Sequence, residues 1–593
     1  MIPRLIGLAL LSAFATASQA QQPAPSDTNA APPAGTLTGR IMNQAGEPLP
    51  SATVYVSTLG MSSSNRTAKV DANGSFKIDG LAVGVYVVFA TEPGFVLYPP
   101  LSPTEGRRYY HTGDSVSLTL VKGGVITGKV TTAINTPVVA AAIRAFRIKD
   151  ENGQSVPSVI QTGERLTDDR GIYRIYGLPP GVYVVSAGGQ SRSGGVTSPY
   201  ESDAPTYAPS GTRDTASEIG VRSGEETTLD IQYRGEPGHA VSGTVAGLTE
   251  SQSLVTITAS INLTDATTHA LLMSVPSSSF NNYSFAFYGV PDGEYELAGY
   301  QYSPNRETIS SEPRRITVQG ADLTGIKLSL APLASIAGQL VVESDAKINC
   351  VKRRATASQE TVILARRFLQ EAKLDANQKE RAQQSTETRA GFVNLTSDGV
   401  PDTKGDFTLK NLRKGSYSID PVLSDAGWYV RSIAIGTATA AKTSNANVAR
   451  DGITVRSGER VSGLTITIAE GAASLRGRVT VDEEQKLPPG LRVYLVPAEP
   501  ESAENVVRFF EARADGDGTF ALGNIAPGRY WIIARPDDES DPTKVKSIRR
   551  DSVLRVKILR EAEGLKKEIS FKPCERPTDY DLRYLAAGTA PKP

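Results

Sequence analysis

At 593 residues the chain is too long for one hydrophobic core, and its 54 Gly and 37 Pro make it rich in turn formers. Lys+Arg and Asp+Glu balance at 63 each with no long run of one sign, so the electrostatic footprint of a nucleic-acid binder is missing. The 22 Tyr and 15 Phe, beside only 2 Trp and 4 Met, suit many short strands joined by tight turns.

The chain opens with a basic start ending at Arg4, then a stretch from Leu5 to Ala17 that is almost wholly apolar or small. With Ser18-Gln19-Ala20 behind it, residues 1–20 read as a secretory signal peptide, too short to span a bilayer and cleaved after Ala20. No Cys stands directly after that point, so a lipid anchor is not supported, and no later stretch approaches ~18 apolar residues. The mature chain is therefore expected to carry no membrane span and to be secreted, periplasmic or at the cell surface. Residues 21–35 form a Pro/Ala-rich linker.

From there one pattern returns five times. It appears as DANGSFKIDGLAVGVYVV (Gly74, Phe76, Leu81, Gly84, Tyr86) and DDRGIYRIYGLPPGVYVV (Gly171, Tyr173, Leu178, Gly181, Tyr183). It continues as NYSFAFYGVPDGEYEL (Phe285, Val290, Gly293, Tyr295), TKGDFTLKNLRKGSYSI (Gly405, Phe407, Leu412, Gly415, Tyr417) and GDGTFALGNIAPGRYWI (Gly518, Phe520, Ile525, Gly528, Tyr530). Asp/Asn-Gly suits the positive φ of a tight hairpin, Phe-x-Ile puts two apolar side chains on one strand face, and the later Tyr packs inward with its hydroxyl still able to find a partner.

Each copy follows an opening strand with its own glycine: Gly39, Gly128, Gly243, Gly338 and Gly477. Four of the intervals from that Gly to the later Tyr run between 47 and 55 residues. The fourth is 79, so that repeat carries an insertion. Second strands such as SATVYVS, AAIRAFRI and LRVYLVP lie between, and closing strands such as SLTLV, LDIQY, IKLSL and LTITI follow. In the fourth repeat Thr361 to Phe368 is the expected second strand, with an interaction helix across residues 357–383 the alternative.

About seven short strands per unit give an all-β fold, a tandem array of about five β-sandwich domains. The expected units are 36–122, 123–238, 239–332, 333–470 with its insertion and 471–574, then a C-terminal tail at 575–593. ISFKP is the expected closing strand of the fifth unit. Joins as short as SLAPLASIAGQL predict an elongated, stiff array, a rod or arc over ~100 Å long, at ~30 Å per sandwich.

Catalytic chemistry finds no support. The three histidines, His111, His239 and His269, stand in no His-x-x-Glu spacing, and neither a Gly-x-Ser-x-Gly elbow nor a Cys-His signature occurs. Gly123-Gly-Val-Ile-Thr-Gly128-Lys129-Val130 mimics a phosphate loop, but Val130 replaces the hydroxyl and the segment reads as an opening strand. Asp515-Gly-Asp517-Gly518 lacks the further oxygen ligands of a calcium loop and reads as a hairpin turn, as does Asp168-Asp169. The chain is read as a non-enzyme with no metal and no cofactor.

Two features invite binding. Cys350 and Cys574 are an even pair in an exported chain, so a bridge is expected if residues 561–593 return along the fourth repeat. Two buried or free thiols are the alternative. Tyr109, Tyr110, Tyr200, Tyr207, Tyr300, Tyr302, Trp428 and Tyr429 lie outside the repeated pattern. They are candidate stacking platforms for sugar rings, or packing between neighbouring sandwiches.

The phrases GGVITGKV and TDDRGIYRIYGLPPGVYVVSA resemble the carboxypeptidase regulatory-like domain, and the likeness runs from about residue 36 to 572. That resemblance implies a transthyretin-like, Ig-like sandwich related to starch-binding-type folds, found in secreted bacterial proteins. In carboxypeptidases it is an accessory module without chemistry of its own. The function expected from all this is a secreted or cell-surface structural or adhesive binding scaffold, with another cell-surface protein as partner. The alternative is a carbohydrate-binding protein that captures polysaccharide through the starch-binding-like fold and its loop aromatics.

Overall fold

The computed structural model describes residues 35–585 except 60–64, 99–107, 154–155, 157–160, 191–197, 249–257, 267–270, 303–306, 346, 349, 351–357, 369–395, 437–447, 482–485 and 538–546. The expected signal peptide, almost all of the linker, His269 and the body of the fourth-repeat insertion fall outside the described residues.

Five β-sandwiches follow one another, each with its own core. The opening strands are Leu37–Asn43, Gly124–Thr131, His239–Ala246, Ala334–Glu343 and Ala473–Thr480. Each pairs antiparallel with the strand after the Asp/Asn-Gly turn, Ser75–Ile78, Ile172–Leu178, Ser284–Val290, Asp406–Leu412 or Thr519–Ile525. On its other side it pairs parallel with a closing strand. In the second sheet the strands Thr53–Thr58, Ala142–Lys149, Thr258–Asp265, Val362–Phe368 and Leu491–Pro497 pair antiparallel with the Gly-x-Tyr strands. The two sheets enclose a core such as Ile126, Val130, Ile143, Tyr173, Ile175 and Tyr183 in the second unit. Val362–Phe368 takes the place expected for Thr361 to Phe368.

The recurring residues have one geometric job in every copy. The opening-strand glycine faces the aromatic of the hairpin strand: Gly39 and Phe76, Gly128 and Tyr173, Gly243 and Phe285, Gly338 and Phe407, Gly477 and Phe520. An aromatic ring lies over the missing side chain, and the parallel closing strand presses in beside it. A Cβ at Gly128 would enter the shell of the Leu229 carbonyl oxygen and meet the Tyr173 ring at 3.0 Å.

The later tyrosine is equally regular. Tyr86, Tyr183, Tyr295, Tyr417 and Tyr530 donate their hydroxyls to the carbonyls of Ala82, Pro179, Pro291, Arg413 and Ala526, four residues back, at 2.6 to 2.8 Å. This tyrosine corner locks the turn to the strand that follows. Burial pushes the phenol of Tyr530 up to about 12, so it stays protonated and able to donate.

One left-handed residue just before the Leu/Val/Ile of the motif connects the units: Gly177, Gly289, Asn411 and Asn524, at φ between 54° and 72°. Each touches the preceding sandwich or the join from it. Gly123 packs so closely on Gly177 that a Cβ would lie 2.6 Å from its Cα. Gly289 lies against Glu201 and Asp203. Asn411 accepts from the Thr308 amide at 2.9 Å, and Asn524 donates to the Trp428 carbonyl at 2.8 Å. Local backbone geometry thus sets how each unit docks on the last.

Two expectations need correcting. The parallel partner of the fifth opening strand is Tyr580–Arg583, within the segment read as a tail, so that sandwich extends past residue 574. Glu568–Phe571, the ISFKP segment, pairs instead with Gly528–Pro536 at the edge of the second sheet. A helix, Ser552–Leu565, occupies the excursion before it, capped by Asp551, which accepts from the Val553 and Leu554 amides.

The array is also not a simple rod. Leu59 and Val85 of the first unit form one buried apolar cluster with Val362 and Leu364 of the fourth, with Val87, Tyr109, Val400 and Val422 packed around it. His111 Nε2 lies 2.9 Å from the Glu360 carbonyl oxygen at the same contact. The first four units therefore close on themselves. The reason lies in the strands: Val362, Ile363, Leu364 and Ala365 are all buried, so both faces of that strand are covered.

Candidate functional site

The side chains that chemistry would need are held in structural roles. His111 places Nδ1 3.4 Å from Asp114, whose carboxylate also accepts the His111 amide at 2.7 Å. His239 lies 3.2 Å from Asp292 and 3.8 Å from Asp322, on an opening strand. Among the described residues no three His, Cys, Asp or Glu groups come together in a metal-binding cluster.

The acidic turns cap their own backbone. Asp168 accepts from the amides of Arg170 and Ile172 at 3.0 and 2.7 Å, and Asp71 and Asp402 repeat that arrangement in the first and fourth units. Asp517 accepts from Thr519 at 3.0 Å. These backbone donors hold the Asp168 and Asp517 carboxyls below their ordinary value. Gly123 to Val130 lies almost wholly in the strand Gly124–Thr131, with no helix following it.

The proposed sugar platforms divide sharply. Trp428 is 3% exposed and Tyr207 6%, so neither offers a ring face, and Tyr207 packs on Phe146. Tyr109 is committed to the contact between the first and fourth units. Tyr110 packs against the first core, and Tyr200 stands edge-on to Tyr233 at 5.1 Å. Tyr300 takes a hydrogen bond from Arg413 at 2.7 Å, with that guanidinium over its ring, between the third and fourth units. Tyr429 is half-buried beside Trp428, and Tyr302 alone of the set is largely exposed. Most of these aromatics are therefore spent on packing, Tyr109 and Tyr300 between units and Tyr110, Tyr200, Tyr207 and Trp428 within one.

Cys350 and Cys574 are bonded, with Cα atoms 5.3 Å apart and a sequence separation of 224. The bridge ties the segment after the fourth opening strand to the turn that leads into Tyr580–Arg583. Cys574 also donates its amide to Gly471 at 3.2 Å, at the join of the two units. Val507 of the fifth unit enters the core of the fourth, and Arg550 pairs with Asp420 at 2.6 Å.

What distinguishes the units is the outer face of the second sheet, a feature the repeated motif does not contain. In the first and fourth units these faces cover each other. In the second, Phe146, Val184 and Tyr207 cluster there with Ala216. In the fifth, Tyr494, Val496, Phe509 and Ile533 lie under Ile558 and Ala562 of the helix. The third unit presents Ser260, Asn262 and Thr264 instead, and Asn262 accepts from Ser274 at 2.8 Å. The usable signal was loss of alternation: AAIRAFRI and TVILA are apolar on both faces, whereas ASINLTD alternates. Uncovered apolar side chains remain beside the first of these faces, where Tyr55 and Phe89 stack at 4.9 Å with Phe89 38% exposed.

Among the described residues no helix is long and apolar enough to cross a membrane. Residues 36–102 match the carboxypeptidase regulatory-like domain family. No curated protein matches the chain. Among solved structures, the Bacillus anthracis TIE protein aligns at 15% identity over 50% of this chain and about half of its own length (51%), with a TM-score of 0.14. The minor pilin of Streptococcus agalactiae aligns at 12% identity over 34% of this chain and 96% of its own, TM-score 0.20. Two B repeat units of the Staphylococcus aureus collagen binding protein align at 9% identity over 74% and 100%, TM-score 0.13. At such scores these likenesses decide nothing about partners.

Proposed function

We propose that this chain, in which residues 36–102 match the carboxypeptidase regulatory-like domain family, is a non-enzymatic structural or adhesive scaffold working outside the cytoplasm. One observation carries the reading. The same sandwich is built five times, and its most reactive or conspicuous side chains serve turns, corners and joins. Such a molecule presents surfaces at fixed spacing, and its Cys350–Cys574 bridge suits an oxidising compartment. Its partner is then a macromolecule at a surface.

The test pairs two assays on the whole chain. Peptide, ester and glycoside substrates should show no turnover, and the immobilised chain should retain cells or matrix proteins above a denatured control. Turnover of any substrate class that depends on the folded chain would sink the scaffold reading.

A further inference from the structure

The contact between the first and fourth units differs from every other join in being far apart in sequence and apolar. Leu59, Val85 and Val87 supply one side, Val362 and Leu364 the other. Among the described residues nothing covalent at the contact fixes which copy of the chain supplies each side. The first unit is otherwise held to the second by the short join at Gly123-Gly124, whose close packing on Gly177 and Val221 must part for the unit to move, and by polar contacts. Tyr98 donates to Glu151 at 2.6 Å, and the Lys122 carbonyl accepts from Ser223 and Gly224 at 2.7 and 3.0 Å. Water can replace such exposed polar partners at small net cost, whereas the apolar face stays costly to leave open.

We propose that this face is exchangeable between copies: the first unit swings about Gly123-Gly124, and its Leu59/Val85/Val87 face docks on Val362/Leu364 of a second copy of the chain. The two faces differ, so a reciprocal exchange closes a two-fold dimer, and a one-way exchange adds chains head to tail. Within one chain the partner face is held at an effective concentration of millimolar order, so the closed monomer prevails in dilute solution. Crowding of copies on a surface tips the balance toward exchange. This inference rests on the contact alone and is independent of what the scaffold binds.

Complementation tests it with full-length chains. Val87→Asp spoils only the first-unit face, and Leu364→Asp spoils only the fourth-unit face. Each variant alone should remain a monomer by light scattering and become more extended by small-angle scattering. Mixed near the millimolar effective concentration, they should form a 1:1 complex of twice the monomer mass, because each retains the face that the other lacks. If circular dichroism shows either variant misfolded, the milder Val87→Thr and Val362→Thr pair replaces them. Folded variants that fail to pair, or that stay as compact as the parent chain, would overturn the proposal.

Discussion

Replacing Cys350 and Cys574 together by Ser should give the largest stability loss available without touching a core. Closing a loop across 224 positions removes chain entropy from the unfolded state worth about 5 kcal/mol, with strain or residual structure reducing what is realised. The effect should be local to the C-terminal half. The bridge precedes the Ser474–Glu575 and Arg476–Pro577 backbone bonds, at 3.0 and 2.9 Å, which lay the last segment along the fifth opening strand. Without the tether, Tyr580–Arg583 becomes the first strand to leave. Scanning calorimetry should show the transition of the fourth and fifth units falling by more than that of the first three. Limited proteolysis should cut first beyond residue 565. Equal melting of oxidised and doubly substituted chains would show that the bridge holds nothing in place.

A single added methyl group should do comparable damage elsewhere. Gly128→Ala puts a Cβ into the Leu229 carbonyl and against the Tyr173 ring, in a strand that pairs on both sides. Neither neighbour is the free end of a flexible side chain, so the closing strand must shift. A loss of at least about 4 kcal/mol is expected, the range reserved for broken packing. Gly220→Ala, in the same unit with nothing within 4 Å, should change stability by no more than about 0.5 kcal/mol. Denaturant unfolding of the two variants checks the difference. Equal effects would mean that the opening-strand glycine is not kept for close approach.

These variants also show what could be read from the sequence. The opening glycine, the aromatic opposite it and the corner tyrosine act within one sandwich and recur at fixed spacing, so the five units were legible. Repeat three was legible although its Asp-Gly turn is absent, because Asn282 and Tyr283 supply the positive φ there, at 52° and 55°. The fifth closing strand was missed because the helix Ser552–Leu565 delays it and ISFKP has the right alternation for either sheet edge. The fold-back was missed for a different reason. Short joins imply an elongated rod or arc, but direction is set by the left-handed residue at each join and by which outer faces are apolar. Val85, Val87, Val362 and Leu364 carried that second signal in strands without alternation. Trp428 and Tyr207, singled out because they fall outside the motif, are buried, Trp428 in the fourth core and Tyr207 on Phe146 of the second unit.

The closure of the first unit on the fourth is the claim on which the shape of the scaffold depends. Small-angle scattering from the dilute full-length chain measures it most directly. Five sandwiches in line, each ~30 Å along its strands, would give a maximum dimension near 150 Å and the scattering of a thin rod. The closed arrangement predicts a clearly shorter maximum dimension, with a compact body of four units and the fifth beside the fourth. It also predicts that Leu364→Asp moves the profile toward the rod. A rod-like profile from the parent chain, unchanged by Leu364→Asp, would contradict the account.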